Sequence, residues 1–216
     1  MKLKTTKLIS VFLLTLLIIL NIKSSFATAI ISKSMDMNEV GPVQLQYDNT
    51  VAITGDSYAG IFCKFEDMKD FFIIQYARAG QTVVQNEAIM TEAALSDCKV
   101  MIVSIGVNDH MKGTVPYIFE ATLRRILNAA MYTNKVVFMH TYCKYPIWQQ
   151  LEGKYKISMY NDIIKRLCNE YNRTYFIDMS EYEGSEYILS DNIHYGQEFY
   201  DILYNKIIRI LGTIDF

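Results

Sequence analysis

Five short apolar runs, spaced by longer amphipathic stretches, constrain the fold of this chain more than any other feature. Thr50–Thr54, Phe71–Tyr76, Val100–Ile105, Val136–Thr141 and Thr174–Met179 are each rich in β-branched or aromatic residues and nearly continuous in hydrophobicity. A half-exposed strand alternates apolar with polar residues, whereas an unbroken run fits a strand covered on both faces, as in parallel sheets. The stretches between have helical length and period. Pro116 stands at the favoured first position of one, and Ile118, Phe119, Thr122, Leu123, Ile126, Leu127 and Ala130 follow at helical spacing. Ile157–Tyr171 repeats the pattern through Tyr160, Ile163, Ile164 and Leu167, and a last helix is expected over about Gln197–Leu211. The Phe71-Phe72-Ile73-Ile74 stretch reads as a buried strand. Strands alternating with helices predict an α/β fold with a parallel sheet.

The N-terminal segment follows different rules. Lys2, Lys4 and Lys7 precede an apolar run from Leu8 to Leu20, and Ala27-Thr28-Ala29 supplies a small-x-small site. That is the pattern of a signal peptide over 1–29. The run has 13 residues, whereas a bilayer-spanning helix needs about 20. The alternative is an uncleaved N-terminal anchor, which Lys23 on the cleavage side favours. No Cys lies near the cleavage site, so a lipid-modified N-terminal Cys is excluded. A secreted or cell-surface location follows. Residues 30–48 lack sustained periodicity and read as a linker or N-terminal arm, leaving 49–216 as one domain.

Of the 216 residues, 21 are Lys or Arg and 23 Asp or Glu, and the leader holds four of the Lys and no acid. Without the leader the balance is 17 basic against 23 acidic residues, a net charge of −6. Phosphate binding rests on clustered Lys and Arg, so nucleic acid is set aside as a partner. Cys63, Cys98, Cys143 and Cys168 form no CxxC, and His110, His140 and His194 show no ligand spacing, so no metal site is expected. A domain of this size can hold a core without disulfides, and the four Cys are read as mostly unpaired core thiols.

In an open parallel sheet, sites form in the loops at the carboxyl ends of the strands. Gly55-Asp56-Ser57 follows the first run, Arg78-Ala79-Gly80 the second and Gly106-Val107-Asn108-Asp109 the third. Asp191-Asn192-Ile193-His194 follows the fifth across a loop. A hydroxyl, an exposed backbone, an amide and a carboxylate–imidazole pair thus converge on one edge. Those parts suffice for acyl transfer. A Ser hydroxyl is a weak nucleophile until a base takes its proton, and neutral His suits that task near pH 7. Asp191, three residues before His194, can hold the other ring nitrogen. The Ser57 and Gly80 N–H groups and the Asn108 amide could hold an oxyanion, and a helix starting at Ser57 would favour the developing negative charge.

The order Gly55-Asp56-Ser57, Gly80, Gly106-x-Asn108-Asp109 and Asp191-x-x-His194 resembles the SGNH hydrolase family, also called GDSL-type esterases and lipases. The resemblance covers about Val51 to Leu211. It implies a three-layer α/β/α sandwich with a five-stranded parallel sheet, flavodoxin-like in class. It also implies catalytic residues Ser57, Asp191 and His194, and an oxyanion hole of Ser57, Gly80 and Asn108. Tyr58 stands where the family label expects Leu, a side chain without a chemical role. Asp178 could compete as the partner of His194, but Asp191 matches the family position.

Other residues carry blander expectations. His110 is read as a surface or capping residue, and His140 as a satisfied core histidine. Asp56 and Asp109 are read as loop braces. Tyr142, Tyr145 and Trp148 follow the fourth run and either bind substrate or pack their loop onto the sheet. Asn172-Arg173-Thr174 is a glycosylation sequon if the source glycosylates exported chains. The sequence therefore points to an exported serine esterase acting on short-chain esters, O-acetyl on carbohydrate in particular, with no cofactor. An O-acyltransferase using the same residues, a phospholipid or lysophospholipid lipase, or a non-catalytic carbohydrate- or surface-binding domain are the alternatives.

Overall fold

In the computed structural model, which describes residues 50–65, 71–140, 154–182, 185–191 and 193–214, each apolar run becomes a strand. β1 (Thr50–Gly55), β2 (Phe72–Ala77), β3 (Val100–Ser104), β4 (Val136–His140) and β5 (Thr174–Ile177) lie in the order β2-β1-β3-β4-β5. All pairings are parallel. The helices of the described residues are α1 (Ser57–Phe65), α2 (Val83–Leu95), α3 (Val107–Lys112), α4 (Pro116–Tyr132), α5 (Ile157–Glu170) and α6 (Gln197–Leu211). α1 and α6 pack together on one face of the sheet, and α2, α4 and α5 pack in series on the other. The result is the three-layer α/β/α sandwich with flavodoxin-like strand order. The leader 1–29 and the linker 30–48 lie outside the described residues. Cys63, Cys98 and Cys168 are free, and Cys143 also lies outside the described residues.

The core explains why unbroken apolar runs were required. Val51, Ala52 and Ile53 of β1, Met101, Ile102 and Val103 of β3, and Val136 to Met139 of β4 are all buried. Residues pointing to both faces of these three central strands are buried. β2 departs from the expectation of a buried strand. It forms the edge of the sheet, and Phe72 is 61% exposed. Hydrophobic continuity marks a strand but carries no information on its place in the sheet, which topology decides.

β1 sits between β2 and β3, so the connection from β1 to β2 runs one way and that from β2 to β3 crosses back the other, which opens a crevice at the carboxyl end of β1. Gly55 makes the turn there possible. Its φ is +132°, and a Cβ on it would lie 1.8 Å from the Ser104 carbonyl oxygen of β3. The Asp56 N–H donates to that same oxygen at 3.0 Å. Gly55→Ala would therefore force a backbone shift as well as an unfavourable φ. It is expected to destabilise the fold by about 3–5 kcal/mol, read as a lower urea midpoint; an unchanged midpoint would contradict this packing.

Candidate active site

Ser57 is the first residue of α1, and Asp56 caps that helix. The Tyr58 N–H donates to Asp56 Oδ1 at 3.0 Å, satisfying one of the donors that a helix start leaves open. The Ser57 side chain stands half-buried above this start, with Oγ 2.9 Å from His194 Nε2. His194 Nδ1 is in turn 2.7 Å from Asp191 Oδ2. With the proton on Nδ1 donated to Asp191, Nε2 keeps a lone pair to accept the Ser57 hydroxyl proton. Three side chains from two distant segments thus form one continuous chain of hydrogen bonds.

The Asp-x-x-His spacing has a local cause. Asp191 Oδ1 accepts the N–H groups of Ile193 at 2.8 Å and His194 at 2.9 Å. The carboxylate folds the backbone around itself, which returns the His194 ring to its other oxygen. The Leu189 N–H donates to the His194 carbonyl at 2.7 Å, and an isolated bridge joins Ile188 to Tyr195. Burial pushes the Asp191 carboxyl up, but the bonds from His194 and Ile193 outweigh it and hold it at about 2. It remains a carboxylate across the neutral range. Asp178 is engaged elsewhere: its Oδ1 accepts the Ser180 N–H at 2.9 Å.

Asn108 arrives from the start of α3 after β3, and its Nδ2 donates to Asp56 Oδ2 at 3.2 Å. One N–H of the amide is used in that bond, leaving the other for a ligand. Gly80 lies on the turn after β2 with φ +71°, and nothing stands within 4 Å of the place a Cβ would take. Its carbonyl accepts Lys112 Nζ at 2.5 Å, tying this turn to the helix of Asn108. Among the described residues, neither the Ser57 nor the Gly80 N–H donates to a protein acceptor. Beyond Gly80, Thr82 caps α2 in a reciprocal pair with Gln85, so the turn has a fixed exit.

Asp56 and Asp109 brace these loops through backbone N–H groups, as expected of Asp in a loop. Asp109 accepts the Val83 N–H at 3.0 Å, joining α3 to α2. Both are 0% exposed. Burial raises the Asp56 carboxyl to about 7, against the pull of the Tyr58 N–H and Asn108, with the Asp109 charge adding to the rise. Burial likewise raises Asp109 to about 6, opposed by Thr114, the Val83 N–H and Lys112. Both folded values exceed that of an unfolded Asp, about 3.9. Stability from these groups is therefore complete below about pH 4 and is lost as pH rises through the folded values. The urea midpoint should fall between pH 5 and pH 8, and Asp56→Asn should narrow that difference. A midpoint that rises over this range would contradict the burial seen here.

His140 is a satisfied core histidine, with Nε2 2.6 Å from Ser104 Oγ. His110 is not a surface residue: it is 3% exposed, and its Nδ1 lies 2.6 Å from the Tyr155 carbonyl. Its helix is packed against α5, a contact that no local pattern announces. Tyr142, Tyr145 and Trp148 lie outside the described residues. The contribution of Tyr58 went unread in the sequence. Its phenol donates to the Ile193 carbonyl at 2.5 Å, and its ring lies 5.3 Å from that of His194.

Comparison with known proteins gives the family and the fold. The sequence profile of the GDSL-like lipase/acylhydrolase family matches residues 48–202. No curated protein sequence matches the chain. Among solved structures, a GDSL-like lipase from Bacteroides thetaiotaomicron aligns with a TM-score of 0.63 at 16% identity, covering 88% of this chain and 97% of its own. An acetyl-xylooligosaccharide esterase from Geobacillus stearmophilus aligns with a TM-score of 0.60 at 16% identity, over 76% of this chain and 94% of its own. A psychrotrophic esterase from Pseudoalteromonas sp., inhibited by monoethylphosphonate, gives 0.55 at 16% identity, over 76% and 100%. At such identity these structures speak for the fold, whereas the profile match spans most of the chain. The chain belongs to the GDSL-like lipase/acylhydrolase family and is a serine ester hydrolase.

Proposed function

We propose that this enzyme is exported and removes short acyl groups, O-acetyl in particular, from carbohydrate through an acyl-enzyme on Ser57. The observation that carries the reading is the unbroken chain Ser57–His194–Asp191, with bonds of 2.9 and 2.7 Å, beside two N–H groups that have no protein acceptor among the described residues. His194 Nε2 takes the Ser57 proton as Oγ attacks the ester carbonyl. The carbonyl oxygen becomes an oxyanion held by the Ser57 and Gly80 N–H groups and Asn108 Nδ2. His194 passes its proton to the departing alcohol, and the acyl group stays on Ser57. Water then attacks, gives a proton to Nε2, and the acid leaves as Oγ recovers that proton. Asp191 stays charged throughout and holds the ring in the tautomer that accepts at Nε2.

Support for the acetyl and carbohydrate assignment comes from the leader pattern of residues 1–29 and from the fold shared with the acetyl-xylooligosaccharide esterase. The test compares p-nitrophenyl acetate with p-nitrophenyl decanoate, followed by acetate release from acetylated xylo-oligosaccharides, with Ser57→Ala as control. Preference for acetate that vanishes in the control is expected. Equal turnover of both esters would overturn the acyl assignment, and an active Ser57→Ala would overturn the mechanism. N-terminal sequencing of the protein recovered from culture medium tests export, with cleavage after Ala29 expected.

A further inference from the structure

Tyr58 replaces the Leu of the family label, and no step of the proposed reaction uses it. Its side chain is 1% exposed, so its phenol needs a partner inside the protein. That partner is the carbonyl of Ile193, the residue just before His194, at 2.5 Å. The Tyr58 ring also meets the His194 ring at 5.3 Å, tilted by 51°, and the Tyr195 ring edge-on at 5.4 Å. On its backbone, Tyr58 gives its N–H to Asp56 and accepts the Tyr200 hydroxyl at its carbonyl, 3.2 Å away. Residue 58 therefore links the start of α1, the loop that bears His194 and the helix α6. A Leu would fill part of the space without holding the loop.

The loop has reason to need holding. Asp191 and His194 lie outside any helix or strand of the sandwich, and their side chains are 45% and 23% exposed. The bonds from Ile193 and His194 to Asp191 fix the internal shape of the loop. They do not fix its distance from Ser57. Both the Ser57–His194 bond and the Tyr58–Ile193 bond cross that gap, but they differ in one respect. Once Ser57 is acylated, Oγ is an ester oxygen with no proton to donate, and the first bond is gone. The second takes no part in chemistry and persists.

We propose that Tyr58 is a positioning residue that keeps His194 over the acyl-enzyme while its hydrogen bond to Ser57 is absent, an inference that rests on the acyl-enzyme reading above. In that state water attacks the acyl carbonyl, its proton goes to His194 Nε2, and the same proton reaches Oγ as the acyl–oxygen bond breaks. A ring displaced by even an ångström serves this step poorly. Acylation is less sensitive, because the Ser57 hydroxyl itself draws the imidazole into place.

The experiment is stopped-flow hydrolysis of p-nitrophenyl acetate by the full chain and by Tyr58→Phe, which removes only the hydroxyl. Tyr58→Phe should lower kcat about three- to tenfold, the range for one neutral hydrogen bond. KM should fall with it, kcat/KM should change less, and a burst of p-nitrophenol approaching one equivalent should precede the steady state. A purely structural role would lower the melting temperature or the fraction of active enzyme without this split. Tyr58→Leu, which also removes the ring, should show the same split and at least as large a fall. A folded Tyr58→Phe with unchanged kcat, or kcat and kcat/KM falling equally without a burst, would overturn the inference. Ser57→Ala separates the two levels: if it is inactive while Tyr58→Phe is unchanged, only the role of Tyr58 fails, and if it is active the acyl-enzyme reading fails first.

Discussion

Ser57→Ala and His194→Ala should each lower kcat by on the order of 10⁴–10⁶, and the double variant should be scarcely slower than either one. The reason lies in the shared proton. In the proposed mechanism Oγ attacks only as its proton moves to Nε2, across a bond of 2.9 Å, so removing either end removes the same event. What survives is binding and oxyanion stabilisation, which do not depend on the pair. Neither variant should harm the fold, because both side chains are partly exposed and neither fills the core. The measurement is steady-state kinetics on the two single variants and the double, with melting curves as a control. A double variant slower than both singles by the product of their losses would show two independent contributions and would contradict a shared proton path.

Asn108→Ala should reduce kcat by about 10²–10³ with KM little changed. An oxyanion carries more negative charge than the carbonyl it forms from, so a donor aimed at it stabilises the transition state more than the bound ester. The loss should be larger than for an exposed amide, because Asn108 is only 9% exposed and its Nδ2 is fixed by Asp56 at 3.2 Å. Preorganisation of this kind avoids reorienting a dipole during the reaction. Truncation also strips the buried Asp56 carboxyl of one of its donors, which favours its neutral form. Stability must therefore be measured beside kinetics. The expected signature is a large fall in kcat at unchanged KM in a protein that still melts cooperatively. An Asn108→Ala enzyme with full kcat would remove Asn108 from the proposed hole.

Much of the fold was readable because it rests on short-range patterns. The runs around Val51, Val100 and Val136 are strands for the reason they looked like strands: residues on both pleats are apolar, and both faces are covered. Pro116 opens α4, and the apolar positions of α4, α5 and α6 fall on their buried faces. β2 lies at an edge although its run reads as buried, since the same apolar run serves a central strand or an edge strand. The blocks at the strand ends could be located for a related reason. Parallel topology sends every carboxyl end to one side, so residues just after strands share an edge whatever their separation in the chain.

The sequence by itself determined the α/β layering, the candidate residues Ser57, Gly80, Asn108, Asp191 and His194, and the local folding of Asp191 back onto His194. Each of these depends on neighbours a few residues away or on periodicity along one element. Only the tertiary structure decided that the His194 ring reaches Ser57, 137 residues away along the chain. It also decided that Asp56 is the shared acceptor for Tyr58 and Asn108, and that Tyr58 reaches Ile193. Those contacts span 52 residues in one case and 135 in the other. Periodicity tells which face of an element turns inward, whereas the identity of the atom waiting there is set by how distant elements close on one another.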